Sequence, residues 1–271
     1  MSYGSISAVK SLSSESHFTV PLLSQLVPDG LEPGTVFTVE FDPDSQWLAV
    51  ATTIAAKYLQ ASGRVSCVSV TRSPENVRKH LAKLGVNVAE AIKEQRLTVD
   101  DWYSATLSGG RIPGDFEKAT FAEPIEGGER VRSLKISELS VEWLRLAKEG
   151  PRSYDIAESW PPGALTIVDS HSPLLRFNDE NAYLEFVTTR AYPNERRARR
   201  IRIGGIVRGV QSDSFYRRLE DASDGIIDLR VVERDDEAKN VLRLRSLKGQ
   251  PHDARWHEIE IKPNGEANLK T

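Results

Sequence analysis

Residues 34–54, GTVFTVEFDPDSQWLAVATTI, constrain the fold more than any other stretch of the chain. Val36, Phe37, Thr38 and Val39 form a continuous apolar run, the pattern of a strand buried on both faces rather than half in water. A short polar loop follows, and the run from Trp47 through Leu48, Val50 and Ala51 reads as an apolar helix. A buried strand feeding directly into a helix is half of a βαβ unit, so the next strand is expected to lie parallel to the first.

The rest of the chain keeps the same alternation. Strands are predicted at 36–40, 65–70, 97–100, 165–169, 201–206, 226–233, 241–246 and 256–261, and helices at 47–62, 74–84, 88–94, 140–148, 180–190 and 212–222. Ser73, Pro74 and Glu75 make a well-formed helix start, with a side-chain cap, a first-turn proline and an early acid. The last three strands are joined by short turns such as ERDDEAKN, which predicts an antiparallel meander appended to a mostly parallel sheet flanked by helices. The expected organisation is a Ser-rich flexible tail over 1–16 and a single α/β domain over 17–271. Residues 103–135, rich in glycine and proline, read as a long loop of the kind that carries function. No apolar run approaches the roughly 18–20 residues that cross a bilayer. The single cysteine, Cys67, excludes an internal disulfide and fits a reducing compartment, so a cytoplasmic location is expected.

The loop after the first strand can be set against the phosphate-binding pattern G-x-x-x-x-G-K-[ST], whose glycines let backbone N–H groups face phosphates and whose lysine reaches them. Phe41 stands at the first glycine, followed by Asp42, Pro43, Asp44, Ser45 and Gln46. Trp47 holds the lysine position and Leu48 that of the Mg-binding hydroxyl. Two carboxylates thus replace a cation where a triphosphate would sit.

Several further segments carry a resemblance. FTVPLLSQLVPDGLEPGTVFTV, GRVSCVSVTRSPENVRKHLAKLGVNV, LTVDDWYS, ALTIVDSHSPLL and the C-terminal stretch from DGIIDLRVVE onward occur in the order and spacing of the RecA-superfamily group that includes KaiC and its archaeal KaiC/GvpD-type relatives. The chain resembles that group from Phe18 to its C-terminus, which implies a RecA-like P-loop NTPase fold. The resemblance makes Asp169, followed by Ser170, the Walker B carboxylate. It sets Thr71 and Arg72 at the paired catalytic glutamates, and Ser246, Leu247, Lys248 and Gly249 at a Lys-Met-Arg-Gly element that reaches the neighbouring subunit's nucleotide.

ATP hydrolysis requires phosphate charge to be neutralised, Mg to be held and a water to be oriented. The positions for all three are substituted, at Trp47, at Leu48 and at Thr71 or Arg72. The expectation is a pseudo-ATPase with no catalytic residues and no resident metal, ATP and Mg being disfavoured as cofactors. It would act as a regulatory or scaffolding protein through contacts with itself or with a KaiC-like relative. Two alternatives are a nucleotide sensor that binds without efficient hydrolysis, using Lys248 across an interface, and a DNA-binding paralogue. The second would use the stripe Arg196, Arg197, Arg199, Arg200 and Arg202, in which Glu195 is the one acid. Trp102, Lys248 and the stripe are the candidate contact residues. Trp47 is expected to plug the vacated phosphate cavity, and His171, close to Asp169 in sequence, is expected to be structural.

Overall fold

The computed structural model describes residues 17–103, 118–125, 128–135, 160–176, 179–234 and 237–270. Strand β1, Val36–Phe41, is buried along its whole length. Phe37, Val39 and Phe41 pack into one apolar cluster and Val36 into a second on the opposite face, as alternation along a strand requires. Helix α1, Trp47–Gln60, follows, then β2, Val65–Ser69, the helices α2, Pro74–Lys83, and α3, Val88–Lys93, and β3, Leu97–Asp101. The Ser73 hydroxyl accepts from the Asn76 N–H, capping α2 as its sequence predicts.

The strands β4, Lys118–Ile125, and β5, Gly128–Lys135, pair antiparallel from Lys118 opposite Lys135 to Ile125 opposite Gly128. The expected loop over 103–135 is therefore corrected: much of it is a hairpin. The predicted helix 140–148 and the tail 1–16 lie outside the described residues.

After β6, Leu165–Val168, come α4, Glu180–Phe186, a π-helical turn, Val187–Ala191, and α5, Tyr192–Arg197. The helix expected to stop at 190 thus runs on to Arg197. Pro193 has no N–H for the regular ladder, and widening one turn is a recognised way around such a gap. Strand β7, Ile201–Val207, helix α6, Asp213–Ala222, and the strands β8, Gly225–Arg234, β9, Glu237–Leu247, β10, His257–Ile261, and β11, Ala267–Leu269, complete the described chain.

Nine strands form one sheet in the order β11-β10-β9-β8-β1-β7-β6-β2-β3. Pairing is parallel from β8 through β3 and antiparallel from β8 to β11, so the predicted C-terminal antiparallel part is present and longer by β11 than expected. Helix α1 covers one face with Val50, Ile54 and Leu59, and α4 to α6 cover the other with Leu184, Tyr192, Phe215 and Leu219. From adjacent β1 and β7 the chain departs in opposite directions, to β2 on one side and β8 on the other. Such a point of reversal leaves a crevice at the carboxyl ends of the strands, the usual ligand position in open α/β sheets. No helix of the described residues is long and apolar enough to cross a membrane.

Candidate functional site

A cleft of about 650 Å³ opens at that point. Phe41, Ser45, Trp47 and Leu48 come from the β1–α1 connection, Thr71 from the end of β2, and Asp169, Ser170, Ser172, Pro173 and Leu175 from the segment after β6. Pro43, Glu180, Val207, Val210 and Gln211 complete its lining. The volume falls within the range of small-molecule sites.

The β1–α1 loop is tied to β8 and β9. The Asp42 N–H donates to the Leu229 carbonyl at 3.1 Å, and its Oδ2 accepts from the Val231 N–H at 3.0 Å, so the residue extends β1 pairing toward β8 and turns its carboxylate to that strand. Asp44 is exposed, and the Gln46 N–H donates to Asn240 Oδ1 at 2.8 Å. The Ser45 hydroxyl is buried without a hydrogen-bond partner. Trp47 is 1% exposed, stacks on Phe41 at 6.0 Å between centroids, and donates its indole N–H to the Asp169 carbonyl at 2.6 Å. Gly205 on β7 makes room for it, because a Cβ there would lie 2.2 Å from the indole nitrogen. Trp47 is thus built into the wall of the cleft.

Asp169 is the most heavily bonded polar group of the site. Its Oδ1 accepts from the N–H groups of Val70 and Ser170, each at 2.8 Å. Its Oδ2 accepts from the Thr71 N–H at 3.0 Å and the Thr71 hydroxyl at 2.6 Å. Burial pushes this carboxyl above its usual range, against the pull of the Thr71 and Val70 hydrogen bonds and the nearby Arg72 charge. Four donors match the roughly four lone-pair positions of a carboxylate. Arg72 turns inward, and its Nη2 donates to the Thr52 hydroxyl on α1 at 3.3 Å. Desolvation lowers its affinity for a proton, opposed by Asp169. Neighbouring Cys67 is buried, its thiol pushed up to about 12, so it holds its proton at neutral pH.

His171 does not join Asp169. Its ring lies against Gly204, where a Cβ would fall 2.4 Å from Nε2, and packs on Tyr183 at 5.7 Å between centroids. Burial, with Arg202 nearby, holds it well below the usual histidine range and hence neutral.

The arginine stripe divides in two. Arg200 and Arg202 are buried, and both bind the fully buried Glu195, Arg200 Nε to Oε2 at 2.6 Å and Arg202 Nη1 to Oε1 at 3.1 Å. These two are corrected from contact candidates to core residues, because neither reaches the surface. Arg196 donates to the Ala222 carbonyl at 2.7 Å and to Asp224 Oδ1 at 3.0 Å, and Arg197 to Asn194 Oδ1 at 3.2 Å. Arg199 adopts a left-handed backbone, φ 55°, at the turn into β7. Lys248 is exposed and donates to the Asp221 carbonyl at 2.6 Å. Trp102 is half-buried against the cluster under α4 to α6.

A second charged group went unnoticed in the sequence. Glu40 on β1 and Asp228 on β8 are buried side by side in register. Arg230 and Arg243 each reach Asp228 at 2.8 Å, and Arg245 bridges Glu40 at 3.0 Å and Glu220 at 2.7 Å. Burial, then a hydrogen bond that its proton donates to Glu220, raises the Glu40 carboxyl to about 7, while Glu220, against its own desolvation, is lowered by accepting from Glu40 and Arg245. Charged residues inside the apolar runs VEF and IIDLR were the available signal.

No protein-family model matches the chain, and no curated protein matches it either.

Proposed function

We propose that this chain is a RecA-like, KaiC-like α/β domain that has given up ATP turnover and works as a regulatory or scaffolding protein through protein–protein contacts. The observation that carries the reading is the state of Asp169: its carboxylate is bound by four donors of its own chain, which leaves it no acceptor position for a hydrated metal. Trp47 fills the position from which a lysine would reach a phosphate, and a short β1–α1 loop at the carboxyl ends of parallel strands supports the superfamily reading. The DNA-binding alternative loses two of its cations to the Glu195 triad. Calorimetric titration with ATP and ADP, with and without Mg, tests the reading. Silence at millimolar nucleotide is the expected result, and micromolar, Mg-dependent binding overturns it. Association with itself or with a partner should be indifferent to ATP and Mg.

A further inference from the structure

The cleft keeps the size of a ligand site after losing the charge of a phosphate site. Among the described residues its lining includes no Lys or Arg but two carboxyl groups, Asp169 and Glu180. Two arginines close to lining residues in sequence are engaged elsewhere: Arg72 on Thr52, and Arg208 4.0 Å from Asp42. Asp169 is saturated. Glu180 is not, because its two oxygens accept from one residue, Oε1 from the Ser212 N–H at 2.8 Å and Oε2 from the Ser212 hydroxyl, and each oxygen has a second lone pair. Leu48, Pro173, Leu175, Val207 and Val210 give the cleft an apolar side. Val210 is 61% exposed, one of two large apolar residues so exposed among those described, and it stands at the cleft. The Ser45 hydroxyl adds a buried polar atom with no partner in the chain.

We propose that the cleft binds a small organic ammonium ion, its cationic end at Glu180 and its apolar body against Leu48, Pro173, Leu175 and Val210. This rests on the reading that the cleft does not take a triphosphate. A field of carboxylates in a partly dry, low-dielectric recess favours a cation and repels an anion of the same shape. The apolar lining supplies the non-directional part of the affinity, and the few polar groups fix orientation.

Two compounds with one ring and opposite charge read this directly. Phenethylammonium should give saturation-transfer NMR signals with the full chain at millimolar concentration, and phenylacetate should bind at least about tenfold more weakly. Val210→Lys places a competing ammonium at an exposed position that folding does not need, and it should weaken phenethylammonium binding about tenfold. Glu180→Gln should erase the preference between the two compounds, with thermal unfolding used to confirm that the variant keeps its fold. The proposal falls if phenylacetate binds as well as the amine, if the amine gives no signal at tens of millimolar, or if neither substitution changes its binding. ATP, run as a third arm, separates the failures. Binding of ATP overturns the premise, whereas silence of both ATP and the amine overturns this inference alone.

Discussion

The two edges of the parallel sheet each bury a carboxylate, and they solvate it in opposite ways. At the amino-terminal edge Glu195 lies between two guanidinium groups, Arg200 and Arg202, so charge answers charge. At the carboxyl-terminal edge Asp169 is held chiefly by backbone N–H groups, with one hydroxyl and a more distant Arg72. The first arrangement locks α5 to the start of β7. The second fixes the ends of β2 and β6 with neutral dipoles, and among the described residues no Lys or Arg lines the cleft beside it. Buried charge in this protein therefore marks where the chain is fastened, and dipole-solvated charge marks where it is left open.

The contrast can be broken most forcefully at the ion triad. Glu195→Ala strands two buried guanidinium groups and should cost about 3–5 kcal/mol, read by urea unfolding. Replacing Glu195, Arg200 and Arg202 together by Met and Leu should recover most of that loss, because no uncompensated charge remains. A triple variant as unstable as Glu195→Ala would mean that the arginines act through more than Glu195.

At the opposite edge, Asp169→Asn turns an amide NH₂ toward donors that need an acceptor and should cost about 2 kcal/mol. A carboxylate reserved for a metal would behave the other way, the asparagine leaving stability unchanged or raised. Gly205→Ala tests the wall of the same cleft. The added methyl would press on the indole nitrogen of Trp47 and on the Asp169 carbonyl, which is 2.8 Å from the Cβ position. A loss of about 1–3 kcal/mol is expected, and combination with Trp47→Phe should cost less than the sum of the single changes.

An effect of similar size is expected from pH. Glu40 is raised from 4.5 to about 7 in the fold, so the folded protein holds a proton that the unfolded chain releases. Its contribution is complete below about pH 4.5 and is lost as pH rises through 7. Glu220 is shifted downward, so its own contribution is lost only as pH falls below its ordinary 4.5. The loss from Glu40 should be about 2 kcal/mol between pH 5 and 8. Glu40→Gln should make the profile shallower, with burial of Asp100, raised from 3.8 to about 6, supplying the remaining slope; an unchanged slope would show that Glu40 does not titrate there.

What the sequence made legible follows from how local each feature is. The β1–loop–α1 unit, the alternation and the antiparallel end rest on short-range periodicity, and all three are present. The hairpin from Lys118 to Lys135 escaped because its glycines and prolines look like loop until the pairing register is known. The loop substitutions could be read directly, but the cleft could not. Ser172, Leu175, Glu180, Val210 and Gln211 come together only through the order of the strands. Arg200 and Arg202 were read as surface because arginine usually is, although Arg200 lies one residue before β7 and Arg202 within it, a spacing of two that extended chain places on one face. What hid them was Glu195, which comes from a helix that the sequence seemed to end before Pro193.

That helix carries a further consequence in its π turn. An α-helix rotates about 100° per residue, so the widened turn sets the phase of everything after it, Glu195 included. At the level of the gene, in-frame loss of a single codon between Val187 and Ala191 would swing Glu195 away from both arginines without altering any residue of the triad. Such a chain should unfold at as low a urea concentration as Glu195→Ala. If it unfolds no earlier than the unaltered protein, the phase is set by packing further along the chain.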